Sequence, residues 1–371
     1  MKVLIEFENR PLLFERPEAI ISCSEPAHLS GAFKEIERAL KSGFYVSGFL
    51  SYEAGYCFEA CLRQGKKYDL PLMMMGVYRN PAARGLPEKQ SQPFYLRDFR
   101  LNIKKTNYAS NIERIREYIA QGDVYQITYC LKFHFNFSGD PQSIYAALLK
   151  RQPVPYPAYI ETDQFQILSL SPERFIKKES GNIITEPMKG TWPRRGNFVS
   201  DLWARFRFSR DAKNKAENIM IADLLRNDLG RIGAGIKWPR LFTIAKYSTL
   251  FQMTSTVTGK IPRDLPIYDL FAALFPSGSV TGAPKIRAME IIRGLESEER
   301  KIYTGAIGYI APSRDLYFNV PIRTLLLSGH SGEMGVGGGI VWDSTPEGEW
   351  QEGMLKARFL TESLGDADFS G

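Results

Sequence analysis

The stretch QILSLSPERFIKKESGNIITEPMKGTWP, residues 166–193, decides the fold. Apolar and β-branched runs flank Ser180-Gly181-Asn182, three residues suited to a turn, so the stretch reads as a hairpin about them. Pro187 fixes its own φ and biases Glu186 away from helix. Gly190-Thr191 favours a sharp change of direction. Lys189 is therefore expected where a strand runs out into a loop. A lone lysine in such a place is ordinarily solvated. Whether this one has another task depends on the rest of the chain.

Outward from that stretch, NYASNIERIREYIAQGD (107–123) has Ile112, Ile115 and Ile119 at helical spacing, and Gly122 stops it. VYQITYCLKFHFNF (124–137) follows with residues suited to a strand. KAENIMIADLLRNDLGRI (215–232) is a long helix closed by Gly230. Strands dominate 300–345, and a last helix runs from Thr345 to Leu364. Long strands mixed irregularly with helices predict an α+β fold. Residues 80–97, rich in Pro, Gly and polar residues, form the best linker candidate. They divide an N-terminal portion, 1–97, packed on the core, from a catalytic portion, 98–371.

The 371 residues are 44% apolar and 24% charged, ordinary for a globular protein, and carry a net charge of +7. That charge suits nucleic acid or small anions. The densest basic stretch, 194–215, is broken by Asp201 and Asp211, which argues against a nucleic-acid partner. The N-terminus lacks the basic-then-apolar design of a signal peptide, and no run approaches the ~18 apolar residues of a membrane span. Cys57 and Cys61 have no second Cys/His pair to complete a zinc site. The four cysteines and the absent signal predict a reducing cytoplasm and no membrane partner.

Several groups have chemical potential. Glu217, Ile221, Leu224 and Asp228 share one helical stripe, and a carboxylate in line with apolar residues needs compensation. Glu349, Glu352 and Lys356 share another helical face. They make either a surface ion-pair ladder or, with Glu217, a site for a hard divalent cation such as Mg²⁺. GVGGGIVWD (335–343) reads as a glycine turn aiming amides at an anion, or as a structural bulge. GSVTGAPKIRAMEII (278–292) reads as a loop opening a helix, whose N-terminus would favour a carboxylate or phosphate. Arg323, inside an apolar strand, wants a planar acid from a substrate or an internal partner. Together these describe a dianionic small molecule held by arginine, glycine amides and Mg²⁺, with Lys189 and Glu173 nearby.

Eight ordered motifs go further: GDVYQITYC, SLSPERF, EPMKGTWPR, KAENIMIADLLRNDLGRI, PSGSVTGAPKIRAMEII, YTGAIGYI, IRTL and GVGGGIVWDSTPEGEWQEGMLKAR. In them the chain resembles the chorismate-utilising enzymes over roughly residues 100–365. The resemblance implies large antiparallel sheets packed in a sandwich with helices outside. It implies Lys189 as nucleophile, Glu173 as catalytic acid, and Glu217, Glu352 and neighbouring Glu349 as Mg²⁺ ligands. Arg323, Tyr309, Lys356, Gly337, Gly338, Gly339, Thr191, Thr281, Gly282 and Gln126 match positions around the substrate, chorismate.

Two positions sort the chemistry within that family. Members that add water to chorismate have a lysine where this chain has Gln126. Members that form anthranilate have alanine where it has Lys189, and members that aminate at C4 have lysine. The resemblance thus implies 4-amino-4-deoxychorismate as product, on the way to para-aminobenzoate and folate, with anthranilate formation as the alternative. No cysteine lies in a Gly-x-Cys-x-Gly turn, so ammonia is expected from a separate glutamine amidotransferase subunit. The chain departs from the family in having Gln252 where many members have histidine, and Asn214 where some have an acid.

Overall fold

The computed structural model describes residues 1–86, 92–194, 197–246 and 250–361. The hairpin expected about Ser180 is present: Arg174–Glu179 pairs antiparallel with Asn182–Glu186. Ser180 and Gly181 take φ of +49° and +83°, the two positive values of a type I′ turn. The preceding run, Gln166–Ser171, does not join that hairpin. It lies in a different sheet, so the stretch that opened the reading crosses from one layer to the other.

Among the described residues the strands form two antiparallel sheets. Along the first run Gly282–Ala283, Gln126–Ser138, Ser331–Ile340, Thr324–Ser328, Gln166–Ser171, Tyr156–Glu161, Lys2–Ile5 and Leu12–Phe14, with Tyr95–Leu101 also on Gln126–Ser138. Along the second run Met188–Pro193, Leu250–Lys260, Asn182–Glu186, Arg174–Glu179, Leu316–Asn319, Ala306–Ile310, Tyr45–Leu50, Met73–Tyr78 and Ala19–Cys23, with Ala234–Lys246 on Leu250–Lys260.

Strand alternation builds the layers. Val3 and Ile5 point between the sheets, where they meet Phe14, Phe49, Ile307 and Leu326. Leu4 points outward, into the core beneath the helices Lys105–Ala120, Lys285–Leu295 and Pro346–Thr361. The second sheet is covered likewise: Val46, Ala306 and Ile310 pack with Ile36 of Leu29–Lys41, Ile221 and Leu225 of Ala212–Gly230, and Phe271. The result is an α+β fold, as the mixed strands and helices predicted, and the sandwich with outer helices that the resemblance implied.

Strands from before residue 97 enter both sheets, so residues on either side of that boundary share the cores. Of the expected linker, 87–91 lies outside the described residues, and Tyr95–Leu101 is a strand. The last helix is Pro346–Thr361; its expected extension to Leu364 also lies outside the described residues. All four cysteines are free thiols. Among the described residues no helix is long and apolar enough to cross a membrane.

Ile307 sits fully buried between the sheets. We expect Ile307→Ala to lower unfolding stability by about 2–5 kcal/mol, the cost of a buried cavity, as read from denaturant titration. A change under about 1 kcal/mol would mean the sheets close over the gap.

Candidate active site

Two of the chain's crossings between the sheets lie side by side. One crossing links Gln166–Ser171 to Arg174–Glu179; the other links Leu316–Asn319 to Thr324–Ser328. Val320 N–H donates to the Glu173 carbonyl at 3.0 Å, and Ser171 Oγ donates to the Val320 carbonyl at 2.5 Å. Glu173 lies on the first crossing and Arg323 on the second. Both are nearly fully buried, and both line one cavity of about 280 Å³. Arg323 is not inside a strand, as its apolar neighbours suggested. It sits just before Thr324 with φ +51°, a left-handed conformation unusual for arginine, and its carbonyl accepts from Leu170 N–H at 3.1 Å.

Each remaining wall comes from a different element. Met188–Pro193 brings Lys189 and Gly190. The helix Ala212–Gly230, N-capped by Asp211 accepting from Asn214 N–H at 2.8 Å, brings Asn214 and Glu217. The last helix brings Glu349, Glu352 and Lys356. Lys356 Nζ lies 2.8 Å from Glu352 Oε1 and donates to the Gly337 carbonyl at 2.7 Å. Ser344 Oγ donates to Glu349 Oε1 at 2.6 Å.

The glycine run is not a turn. Gly335–Gly339 continue the strand Ser331–Ile340 in register with Gln126–Ser138, Gly337 facing Cys130 and Gly339 facing Thr128. The other neighbour, Thr324–Ser328, pairs only as far as Met334, so the opposite edge of the glycines borders the cavity. Side chains converge there and leave no room for a Cβ. One on Gly338 would lie 2.8 Å from Glu349 Oε2. One on Gly339 would lie 2.1 Å from Gln126 Nε2 and 2.9 Å from Lys189 Nζ. Gln126 and Lys189 are thus close neighbours across Gly339. Gln126 is fully buried, and neither of its side-chain polar atoms has a hydrogen-bond partner in the protein. Gln252 also lines the cavity with its buried Oε1 unpartnered.

Four expected substrate residues are not among those lining the cavity: Gln126, fully buried against Gly339, and Tyr309, Thr281 and Gly282. Tyr309 shares the face of Ile307, between the sheets, its ring 5.9 Å from Phe14; alternation turns it away from the cavity. The tyrosine that lines the cavity is Tyr303, six positions earlier in the same motif. Thr281 and Gly282 form the backing rather than the lining. Thr281 gives its hydroxyl to the Ser277 carbonyl, and Gly282 pairs with Ile127 with no space for a side chain. Ser279 and Val280 of that loop face inward, and the helix Lys285–Leu295 does not. Thr191 pairs through its backbone with Gln252; its side chain lies outside the described part. The inward-facing Thr128, Ser279 and Tyr303 escaped the sequence reading. They stand beside motif residues but carry no mark of their own.

The chain matches the family described as chorismate binding enzyme over residues 81–362. The chain belongs to that family. It is 38% identical to aminodeoxychorismate synthase component 1 of Escherichia coli over 72% of its own length and 59% of the relative's. It is 36% identical to anthranilate synthase component 1 of Aquifex aeolicus over 74% and 56%. It therefore spans less than two thirds of either protein. In fold it is similar to a putative 2,3-dihydroxybenzoate-specific isochorismate synthase of Bacillus anthracis, with TM-score 0.80 and 19% identity over 97% of this chain and 95% of that one.

In this member of the family two ionisable groups of the cavity are pushed toward neutrality. Burial raises the Glu173 carboxyl to about 7, against the opposing pull of the Ser279 hydrogen bond (2.5 Å) and Lys189. Burial also lowers the Lys189 ammonium, and Lys356 lowers it further, while Glu217, Glu173 and Glu352 pull it up. A carboxyl more readily protonated than usual and an amine more readily neutral than usual thus face one space.

Glu173 yields a signed prediction. Its proton is held more tightly in the folded chain than at the ordinary value of 4.5, so ionisation costs stability as pH rises from 4.5 to about 7. Glu173→Gln, which cannot ionise, should be more stable than wild type at pH 8 by roughly 3 kcal/mol, from about 1.4 kcal/mol per pKa unit. The gain should vanish at pH 4 in paired thermal melts. A gain equal at both pH values would show that Glu173 is not held protonated.

Proposed function

We propose that this chain is a chorismate-aminating subunit, an aminodeoxychorismate synthase component I. Lys189 carries the reading: its amine borders a polar cavity at the position where resemblance separates C4 amination from anthranilate formation. The acid Glu173, raised toward neutrality, lines the same cavity.

In this reading Lys189 adds through its uncharged amine at C2 of chorismate. The ring double bond shifts, and the C4 hydroxyl leaves as water with the Glu173 proton. Ammonia then adds at C4, the double bond shifts back, and the lysine amine departs. Glu173 regains the proton that the nitrogen nucleophiles shed, so the sum is chorismate plus ammonia to 4-amino-4-deoxychorismate plus water. Two allylic shifts replace one hard displacement. An acid placed like Glu173 contributes typically ~10²–10⁴-fold. Arg323 offers a planar fork for a substrate carboxylate, and the bare glycine edge lets the ring approach the backbone.

Among the described residues no three acidic, histidine or cysteine side chains stand together as a ready metal cage. Glu217, Glu349 and Glu352 nonetheless line one cavity from two helices, and carboxylates completed by water and substrate oxygens fit Mg²⁺. When bound there the ion would offset the charge of the substrate's ring carboxylate. The ammonia, in this reading, comes from a separate glutamine amidotransferase subunit, and the enzyme works in the cytoplasm. Similarity to the Aquifex aeolicus protein keeps anthranilate formation as the second reading.

Mass spectrometry of the chain with chorismate, Mg²⁺ and ammonium decides between them. Aminodeoxychorismate without pyruvate is expected, and Lys189→Ala, which removes the nucleophile of the covalent route, should lose C4 amination steeply while still binding chorismate. Anthranilate with pyruvate, formed with no added lyase, would replace the first reading by the second. Glu352→Gln should raise the Mg²⁺ concentration for half-maximal rate severalfold; an unchanged titration removes Glu352 from the ligand set.

A further inference from the structure

The two oxygens of Glu173 are not equivalent. Ser279 Oγ donates to Oε1 at 2.5 Å, and Met188 N–H donates to the same oxygen at 3.4 Å. Among the described residues none hydrogen-bonds to Oε2, so that oxygen is the one left for a molecule in the cavity. Behind Ser279 stands Ser277, its Oγ 2.9 Å from Ser279 Oγ, with either hydroxyl able to donate. Both serines are nearly fully buried, and of the two only Ser279 lines the cavity. Their main chain is pinned by other hydroxyls: Thr281 Oγ1 donates to the Ser277 carbonyl at 3.1 Å, and Thr128 Oγ1 to the Ser279 carbonyl at 3.4 Å. Ser277, Ser279 and Glu173 thus form a short row that begins inside the protein and ends at the cavity.

The protons give the row a direction. If Glu173 carried its proton on Oε1, that proton would point at Ser279, and Ser279 would donate to Ser277. The Ser277 proton would then have no acceptor among the described residues. A buried donor without a partner is expensive. In the opposite sense Ser277 donates to Ser279 and Ser279 to Oε1, and every hydroxyl proton has an acceptor. Only lone pairs on Ser277 go unused, the more tolerable loss. Met188 N–H, which can only donate, also needs Oε1 as an acceptor. A carboxyl that receives two donors on Oε1 carries its own proton on Oε2.

We infer that Ser277 and Ser279 are positioning residues that hold the Glu173 proton on Oε2, the cavity side. What the proton does there rests on the amination reading above; where it sits does not. In that reading Oε2 passes its proton to the C4 oxygen as the C4–O bond breaks and water leaves. The charge left on the carboxylate is met on Oε1 by donors already in place, until a proton shed by the nitrogen nucleophiles returns to Oε2. No side chain has to turn between the two states.

The direction of the row sets the sign of the test. A hydroxyl that donates to a carboxylate favours the ionised form, so its loss moves ionisation to higher pH. One that accepts from the acid favours the protonated form, so its loss moves ionisation to lower pH. The charged groups sharing the cavity, Lys189 and Arg323 beside Glu173 and Glu217, Glu349, Glu352 and Lys356 from the two helices, are the same in every variant. Ionisation is read without chorismate, from thermal melts across a pH series of each protein against the same protein carrying Glu173→Gln. Wild type should ionise at about 7, and Ser279→Ala about one pH unit higher. Ser277→Ala should move the same way by less, and it supplies the sign by itself if Ser279→Ala does not fold. A shift to lower pH would overturn the direction of the row, and no shift would overturn its role. In the amination assay Ser277→Ala, which keeps every side chain lining the cavity, should lower kcat at least about threefold with KM for chorismate within about twofold. Unchanged kcat in both serine variants would equally overturn the inference. A wild-type chain that ionises as expected but does not aminate chorismate would leave the row standing and remove the functional reading alone.

Discussion

Two neighbouring chain crossings govern this structure. Each must leave one sheet and enter the other through the interior, where an unpaired backbone group is expensive. The link from Val320 to Glu173 and the Ser171 hydroxyl on Val320 meet that demand by joining the crossings to each other. Glu173 and Arg323 are carried on the joined segment, one from each crossing. Their burial follows from the topology, and the carboxyl's reluctance to ionise follows from the burial. The chemistry of the cavity is in this sense a by-product of how two sheets are stitched.

The rest of the cavity is assembled around that seam by elements far apart in sequence. An edge strand supplies the lysine, two helices supply the carboxylates, and a strand nearly without side chains supplies the remaining wall. The helix bearing Glu217 is anchored by Asn218, which donates to the Met253 carbonyl at 3.3 Å and accepts from Ser255. That anchor holds the helix on the strand that carries Gln252.

Much of this was legible in the sequence, and the reasons for the exceptions are physical. Helical spacing found the long helices, because their inward stripes are apolar. The turn at Ser180-Gly181 was legible because its backbone demands those residues. Lys189, Glu173 and Glu217 were singled out by motif, and the cavity gathers them. The glycine run misled, since glycine signals a turn by default, and its true cause is crowding by Glu349, Gln126 and Lys189 from distant segments. Tyr309 misled because a motif does not say which face of a strand is inward; Tyr303, outside the strand Ala306–Ile310, is the one turned to the cavity. The crossing between sheets at 171–174 left no local signature at all.

The glycine strand has a consequence for how such a cavity can vary. A surface built of main chain presents the same atoms whatever the codon, so it offers no handle by which substitution can retune selectivity. It fixes the shape against which any ring must lie. Variation is confined to the facing side chains, among them Lys189 and Gln252, where an exchange changes the groups on offer while the mould stays constant.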